Sequence, residues 1–392
     1  MRWLSACLFM MGVSLRAETY VVLPFCNAAL DRNLDWIGES IAENVSDALS
    51  NEGFVILNRE DRVAVYHRLS LRPYARLSKA SVIKIGEELD AEYVIYGEFD
   101  VKPALDANVK TRGTLHITGR VLDLRRLRQG PELNESGALE DLAILENHFG
   151  WQTLRGFKAN ELSEDQYRQR HPAIRVDALE NYVRGLVAAN PDEKHRFFSQ
   201  ASRLDPKYAA PLLQLGRLDW KKKDYKSASE LFQKIPEHDG HYREAMFFLG
   251  LCRYLGGDFA GAQKAFQVVA QSVPLNEVFN NLGAAESRRN QPEALEAFRK
   301  ALEGDGSDPA YLFNVGYLLW KRGKFEEAAD KFRAVLDHDP ADSVAGALLA
   351  RCSGQNGPRP GDTRMEGLER LKTNYEESQY WQLKALLQPQ RD

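Results

Sequence analysis

Cysteine is scarce, with four among 392 residues. That is too few for a disulfide framework in a chain of this length, so the fold rests on packed apolar cores. An excess of charge of one sign is also lacking: Lys+Arg 52 stand against Asp+Glu 56, and a net charge of −4 gives no global reason to expect nucleic acid. Glycine (28) and proline (16) are too few for a collagen-like or low-complexity chain. Past residue 17 no apolar run approaches the ~20 residues that a bilayer-spanning helix needs. The strand-turn-helix stretch at 24–37 carries neither GxGxxG nor GxxxxGK[ST], which excludes both nucleotide loops. His238 and His241 share a loop with Asp239 but no cysteine, short of the roughly four ligands of a zinc site. The glycine-rich stretch 256–261 lacks the Lys-Ser/Thr of a phosphate loop. Residues 305–308 lack the length and distal Glu of a calcium loop. No Ser-His-Asp or Cys-His arrangement is marked. The expectation is a non-enzyme with no cofactor and no metal. At roughly 150 residues per domain, two or three globular domains fit the length.

Residues 1–17 (MRWLSACLFMMGVSLRA) place Arg2 before an apolar run over 4–15, ending ahead of Glu18. This is the pattern of a signal peptide, and it implies export to the periplasm or cell envelope. Leu4-Ser5-Ala6-Cys7 has lipobox form, but its apolar run follows the cysteine instead of preceding it, which argues against acylation. After cleavage no transmembrane span remains. Cys26, Cys252 and Cys352 then read as small buried hydrophobes.

From residue 18 to 155 the pattern is that of a small α/β domain. Strands are expected at 20–25, 54–57, 93–96 and 114–121. Ile37, Ile41, Val45 and Leu49 recur every four residues and form one stripe of a helix over 34–50. Further helices are expected over 78–89, with Ser78 as N-cap, and over 141–154. The order β-α-β-α-β-β-α implies a mixed sheet covered by helices. VVLPF, GESIAENVSDAL, FVILNRED and IGEELDAEYVIYGEF resemble the TolB amino-terminal-like family, related to the CsgG and FlgO type of envelope domain. The resemblance marks Arg59 and Gly97 as fold-determining and implies an envelope setting with contacts between proteins. Cys26 departs from it, since a more polar residue is usual there. Arg125, Arg126 and Arg128 read as a solvated strand end or loop in preference to a phosphate or lipid-headgroup patch.

A polar stretch over 156–175 reads as a linker. Beyond it the chain repeats, and a helical solenoid is expected over 176–352. Gly216, Gly250, Gly283 and Gly316 stand 34, 33 and 33 apart, and Phe198, Phe232, Phe266, Phe298 and Phe332 stand 34, 34, 32 and 34 apart. Ala228, Ala262, Ala294 and Ala328 keep the same step. These motifs resemble the tetratricopeptide family, strongly over 207–340 and in a degenerate form over 177–206. Asp219, Arg253 and Glu286 stand where that family usually has an aromatic; the aromatics Trp220, Tyr254 and Trp320 come one residue later in their repeats. The fold class is therefore α/β plus all-α: a small mixed-sheet domain, then a tetratricopeptide helical solenoid.

The resemblance implies a concave groove lined by Leu213, Arg217, Trp220, Phe247, Leu251, Tyr254, Asn280, Phe313, Tyr317 and Trp320, suited to a protein or peptide partner. The final region, 353–392, reads as a flexible break (GQNGPRPG) followed by a helix over 365–387 that caps the solenoid. Leu368, Leu371, Tyr375, Tyr380, Leu383 and Leu386 carry its spacing. Together these readings lead to an exported bacterial interaction scaffold or adaptor, its α/β domain docked to an envelope component and its groove holding a protein or peptide. The alternative is a small-molecule or lipid-headgroup sensor coupled to the solenoid.

Overall fold

The computed structural model describes residues 18–28, 31–103, 113–157, 163–359, 368–378, 380–381 and 384. The expected signal peptide over 1–17 lies outside them. Two compact units divide the chain, Met1–Pro172 with Ser378–Asp392 and Ala173–Glu377.

In the first unit the β-rich runs build one sheet. Its strands are β1 (Thr19–Val22), β2 (Cys26–Asn27), β3 (Val55–Ile56), β4 (Tyr93–Lys102), β5 (Thr114–Asp123) and β6 (Arg128–Ala138). The order is β3-β1-β4-β5-β6, with β2 also on β4. β1 runs parallel to β3 and β4, whereas β4-β5 and β5-β6 are antiparallel, so the sheet is mixed. Helix α1 (Asp35–Asn51) buries its whole expected stripe, with Ile37, Ile41, Val45 and Leu49 at 0% exposure. Gly38 allows the helix to meet the strand end: Phe25 N–H donates to Gly38 O at 3.0 Å, and a Cβ on Gly38 would lie 2.0 Å from Phe25 O. Helix α2 (Arg59–Arg68) precedes α3 (Lys79–Glu88), whose N-cap Ser78 accepts from Ser81 N–H as expected. Helix α4 (Leu142–Phe157) closes the sheet's partner layer.

Helix α2 and strand β6 have no counterpart in the expectations. Helix α2 buries only Arg62, Val65 and Tyr66, too few to print an apolar stripe. Strand β6 (RQGPELNESGA) lacks apolar alternation because it is the sheet's edge, where Pro131 is tolerated. The basic cluster lies at the β5–β6 turn. There Arg126 N–H donates to Asp123, Leu127 adopts φ 49°, and the Arg125 guanidinium pairs with Glu92. Cys26 is only partly buried, unlike Cys252 and Cys352, which corrects the uniform reading of the three. The expected linker is also partly structured. Ser163 caps helix α5 (Glu164–Arg170) with a full capping box, and Tyr167 is buried at 2% exposure.

Between α1 and α4 the Glu146 carboxylate accepts from Ser40 Oγ at 3.0 Å, while its Oε1 has no hydrogen-bond partner among the described residues. Burial pushes this carboxyl from its ordinary 4.5 up to about 8, only partly opposed by Ser40. The folded state then holds a proton that the unfolded chain releases above pH 4.5. Stability therefore falls as pH rises from about 4.5 to about 8. Glu146→Gln is expected to raise the melting temperature at pH 8 and to change it far less at pH 4.5. Equal shifts at both pH values would show that the carboxyl does not titrate in that window.

The second unit is a series of helix pairs: α6 (Val176–Val187) with α7 (Pro191–Leu204), α8 (Ala209–Lys221) with α9 (Tyr225–Phe232), α10 (Tyr242–Leu255) with α11 (Phe259–Ser272), α12 (Asn276–Arg288) with α13 (Ala294–Gly304), and α14 (Pro309–Lys321) with α15 (Phe325–His338). A single helix, α16 (Ser343–Ser353), follows. The turns inside four pairs need a left-handed residue, supplied by Lys223, Gly257, Asn290 and Gly323 at φ between 54° and 84°. Each repeated phenylalanine rests on the glycine of its own pair and so seals that pair, and Phe232 also stacks on Phe248 of the next pair with centroids 5.7 Å apart. A Cβ on Gly250 would lie 2.6 Å from Phe266, whereas one on Gly316 would find nothing nearer than 3.0 Å. The degenerate first pair keeps the same device, with Gly185 against Phe198. Overpacking costs about 1–3 kcal/mol and a helical Gly→Ala change returns up to about 1. Gly250→Ala is therefore expected to lose about 1 kcal/mol in urea denaturation, and Gly316→Ala to be near neutral.

Candidate functional site

The first helices of successive pairs, α10, α12 and α14, form a groove together with the start of α16. Its floor is polar. Asn280, Asn281 and Asn314 are each 0% exposed, and Ser287 is 1% exposed. Asn280 and Asn281 stand side by side on α12; Asn314 occupies the matching place on α14 to Asn281, each two residues before its repeat glycine. The three amides are linked: Asn314 Nδ2 donates to Asn280 Oδ1 at 2.7 Å, and Asn280 Nδ2 donates to Asn281 Oδ1 at 3.2 Å.

Residues 368–377 of this same chain lie in the groove. The expected capping helix is not formed over 368–376, which has no helix or strand of its own; positions 365–367 fall outside the described residues. The physical reason is where its backbone finds partners. Arg370 N–H donates to Asn314 Oδ1 at 2.7 Å, and Arg370 O accepts from Asn314 Nδ2 at 2.9 Å and Asn280 Nδ2 at 2.8 Å. Lys372 N–H donates to Asn281 Oδ1 at 2.9 Å, and its carbonyl accepts from Asn281 Nδ2 at 2.8 Å. Asn314 and Asn281 each satisfy both backbone groups of one residue, as a neighbouring strand would, and the bonded residues alternate with period two.

The side chains sort accordingly. Arg370 pairs with Asp342 at 2.6 Å and its guanidinium carbon stands 3.7 Å from the Phe313 ring centroid. Lys372 pairs with Asp308 at 2.5 Å and lies over Tyr311 at 5.0 Å. Glu369, one residue before Arg370 and so out of phase with both, points the other way. It accepts from Ser287 Oγ at 2.8 Å and Tyr254 Oη at 3.2 Å, with Lys321 Nζ at 3.8 Å. Burial holds the Tyr254 hydroxyl well above the usual phenol range, and the Glu369 charge adds to this. The Tyr375 ring meets Phe247 with centroids 5.0 Å apart, and Arg243 pairs with Glu377 at 2.6 Å.

Of the ten residues expected to line the groove, Phe247, Tyr254, Asn280 and Phe313 touch this segment. Leu251 is buried in the solenoid core, and Tyr317 stacks between Phe313 and Trp320. Trp320 is 0% exposed and donates from Nε1 to Asn356 O at 2.8 Å, so its ring supports the turn after α16. Leu213, Arg217 and Trp220 belong to α8, where Arg217 pairs with Glu244 and Trp220 packs on Tyr225 and Phe248. Sequence reasoning missed Asn281, Asn314, Asp308 and Asp342. The recurrence Asn281-Leu-Gly283 and Asn314-Val-Gly316, 33 residues apart, was the available signal. Among the described residues no group of three or more His, Cys, Asp or Glu is placed to hold a metal ion, and no helix is long and apolar enough to cross a membrane.

A family model for the tetratricopeptide repeat matches residues 213–277 and 284–343. Tetratricopeptide repeat protein 37 of Xenopus laevis is 24% identical over 210 residues, which is 52% of this chain and 13% of that much longer protein. Among solved structures, YrrB, a TPR protein with an unusual peptide-binding site, is similar at 19% identity and TM-score 0.41, covering 44% of this chain and 92% of its own. MamA from Desulfovibrio magneticus RS-1 is similar at 21% identity and TM-score 0.38, covering 41% of this chain and 92% of its own. Repeats of this kind generally act in protein–protein interaction and are typically non-catalytic.

Proposed function

We propose that the protein is a non-catalytic interaction scaffold of the bacterial envelope. After export, its TolB-like α/β unit docks to an envelope component, and its repeat groove holds a stretch of a partner protein. The observation that carries the groove assignment is the set of buried asparagines whose side-chain amides grip a peptide backbone at Arg370 and Lys372. Backbone-directed amides accept any extended chain, and the flanking charges and rings then select among chains. Phe247, Tyr254, Asn280 and Phe313, with Asn281 and Asn314, are the residues assigned to the partner. The leader and the family resemblance of residues 18–155 support the envelope setting. A pull-down from envelope extract tests the groove: a partner held by the wild type is expected to be lost by folded Asn281→Ala/Asn314→Ala. Retention at equal strength would move the contact off the groove. Fractionation tests the setting, since finding the full-length chain with its leader in the cytosol would overturn it.

A further inference from the structure

We infer that residues 369–377 are an internal stand-in for the groove's ligand, and that the ligand is an extended protein segment with an acidic, a basic, an aliphatic and a basic residue in succession and an aromatic three positions further on. The inference rests on the groove being a partner site and adds which partner chemistry it selects and what keeps it closed.

Three features set this segment apart from a structural element. Only Glu369 in it is buried; residues 370–372 and 375–377 are partly exposed, and Thr373 and Asn374 are exposed. Its apolar contacts with the repeat core are those of Leu368, Leu371 and Tyr375, and the rest of its hold is polar. The floor it leaves (Asn280, Asn281, Asn314 and Ser287) consists of groups that water satisfies. The groups that read its side chains are also held without it. Asp308 caps α14 by accepting from Ala310 and Tyr311 N–H, and Asp342 caps α16 by accepting from Ala345 N–H. Each carboxylate is thus fixed beside an aromatic face, Tyr311 or Phe313, before any ligand arrives. Such an anion-plus-ring pair selects a cation. Two pairs two residues apart along a strand select a basic-x-basic segment, because alternate residues of an extended chain share a face. Tyr254, Ser287 and Lys321 select the acid on the opposite face, and Phe247 selects the aromatic.

A tethered segment competes at an effective concentration on the order of millimolar, so an external ligand must match its chemistry to displace it. The probe is a fluorescent peptide of sequence LERLKTNYEE, read by anisotropy against three full-length proteins: wild type, Arg370→Glu/Lys372→Glu, and that variant with Asn281→Ala/Asn314→Ala added. Circular dichroism establishes that each is folded; Arg370→Ala/Lys372→Ala replaces the charge reversal should that variant misfold. The tail variant is expected to bind the peptide at least tenfold more tightly than wild type. Adding the asparagine changes should lose at least tenfold, and a peptide with Glu in place of its Arg and Lys should not bind the tail variant. Equal affinity of wild type and tail variant would overturn the stand-in, and equal binding of the charge-reversed peptide would overturn the selectivity. If either occurs while partner capture from extract still depends on Asn281 and Asn314, the scaffold reading survives and this inference falls. Peptide binding without any captured partner gives the reverse.

Discussion

Glu39→Ala is expected to destabilise the amino-terminal unit by about 3–5 kcal/mol, the cost of leaving a buried charge without its partner. Glu39 and Arg62 are 2% and 3% exposed. One carboxylate oxygen accepts from Arg62 Nη2 and from Arg59 Nε, both at 2.5 Å, while Arg62 Nη1 donates to Val22 O at 2.7 Å. The pair thus ties α1 and α2 to the end of β1. With alanine at 39, Arg62 keeps Val22 O and a distant Glu43 at 3.5 Å, whereas Arg59, with its side chain 21% exposed, turns to water. For a unit of this size the melting temperature falls by roughly 10 °C. The control is Glu39→Met/Arg62→Met, which removes both charges and is expected to recover most of the loss. Urea denaturation, with hydrogen exchange of the β4 and β5 amides as the local readout, decides between these outcomes. A loss below about 1 kcal/mol for Glu39→Ala would show that the pair adds little.

Asn281→Ala/Asn314→Ala is expected to free residues 368–377 while leaving the helices intact. The two side chains make four hydrogen bonds to the Arg370 and Lys372 backbone. At about 0.5–1 kcal/mol net for each bond, the segment's open population rises by roughly 30- to 1000-fold. Trypsin cuts after arginine and lysine, and both of its sites here are the gripped residues. Where opening and closing outpace cleavage, the cleavage rate follows the open population. Cleavage after Arg370 and Lys372 should therefore quicken by about a hundredfold, with each single variant intermediate. Unchanged cleavage with an unchanged far-ultraviolet spectrum would mean that the Asp308, Asp342 and Phe247 contacts hold the segment alone.

Periodicity made much of this molecule legible in advance. The Ile37-Ile41-Val45-Leu49 stripe and the recurring Gly and Phe of the helix pairs each mark a face that must be buried, and burial followed. Where the apolar face is small, there was little to read: α2 buries only Val65 and Tyr66 beside the Glu39–Arg62 pair, and edge strand β6 is held by its ladder to β5. In the groove, aromatic positions drew attention that Trp320 and Tyr317 do not merit, because those rings are consumed by packing. The asparagines that grip the segment are polar and buried, a combination that a sequence does not display.

The amino-acid sequence by itself determined the two architectures, because a period of two or of 3.6 states which residues leave water, and a 33- or 34-residue repeat states that helix pairs stack. It did not determine the fate of residues 368–377. Leu368, Leu371 and Tyr375 are spaced as on a helix, and local energetics leave that choice open. The decision came from partners 56 and 91 residues away, Asn314 and Asn281, whose amides satisfy the backbone groups that a helix would have paired internally. Only tertiary structure brings such partners together, since hydrogen bonds between distant residues leave no period in the chain.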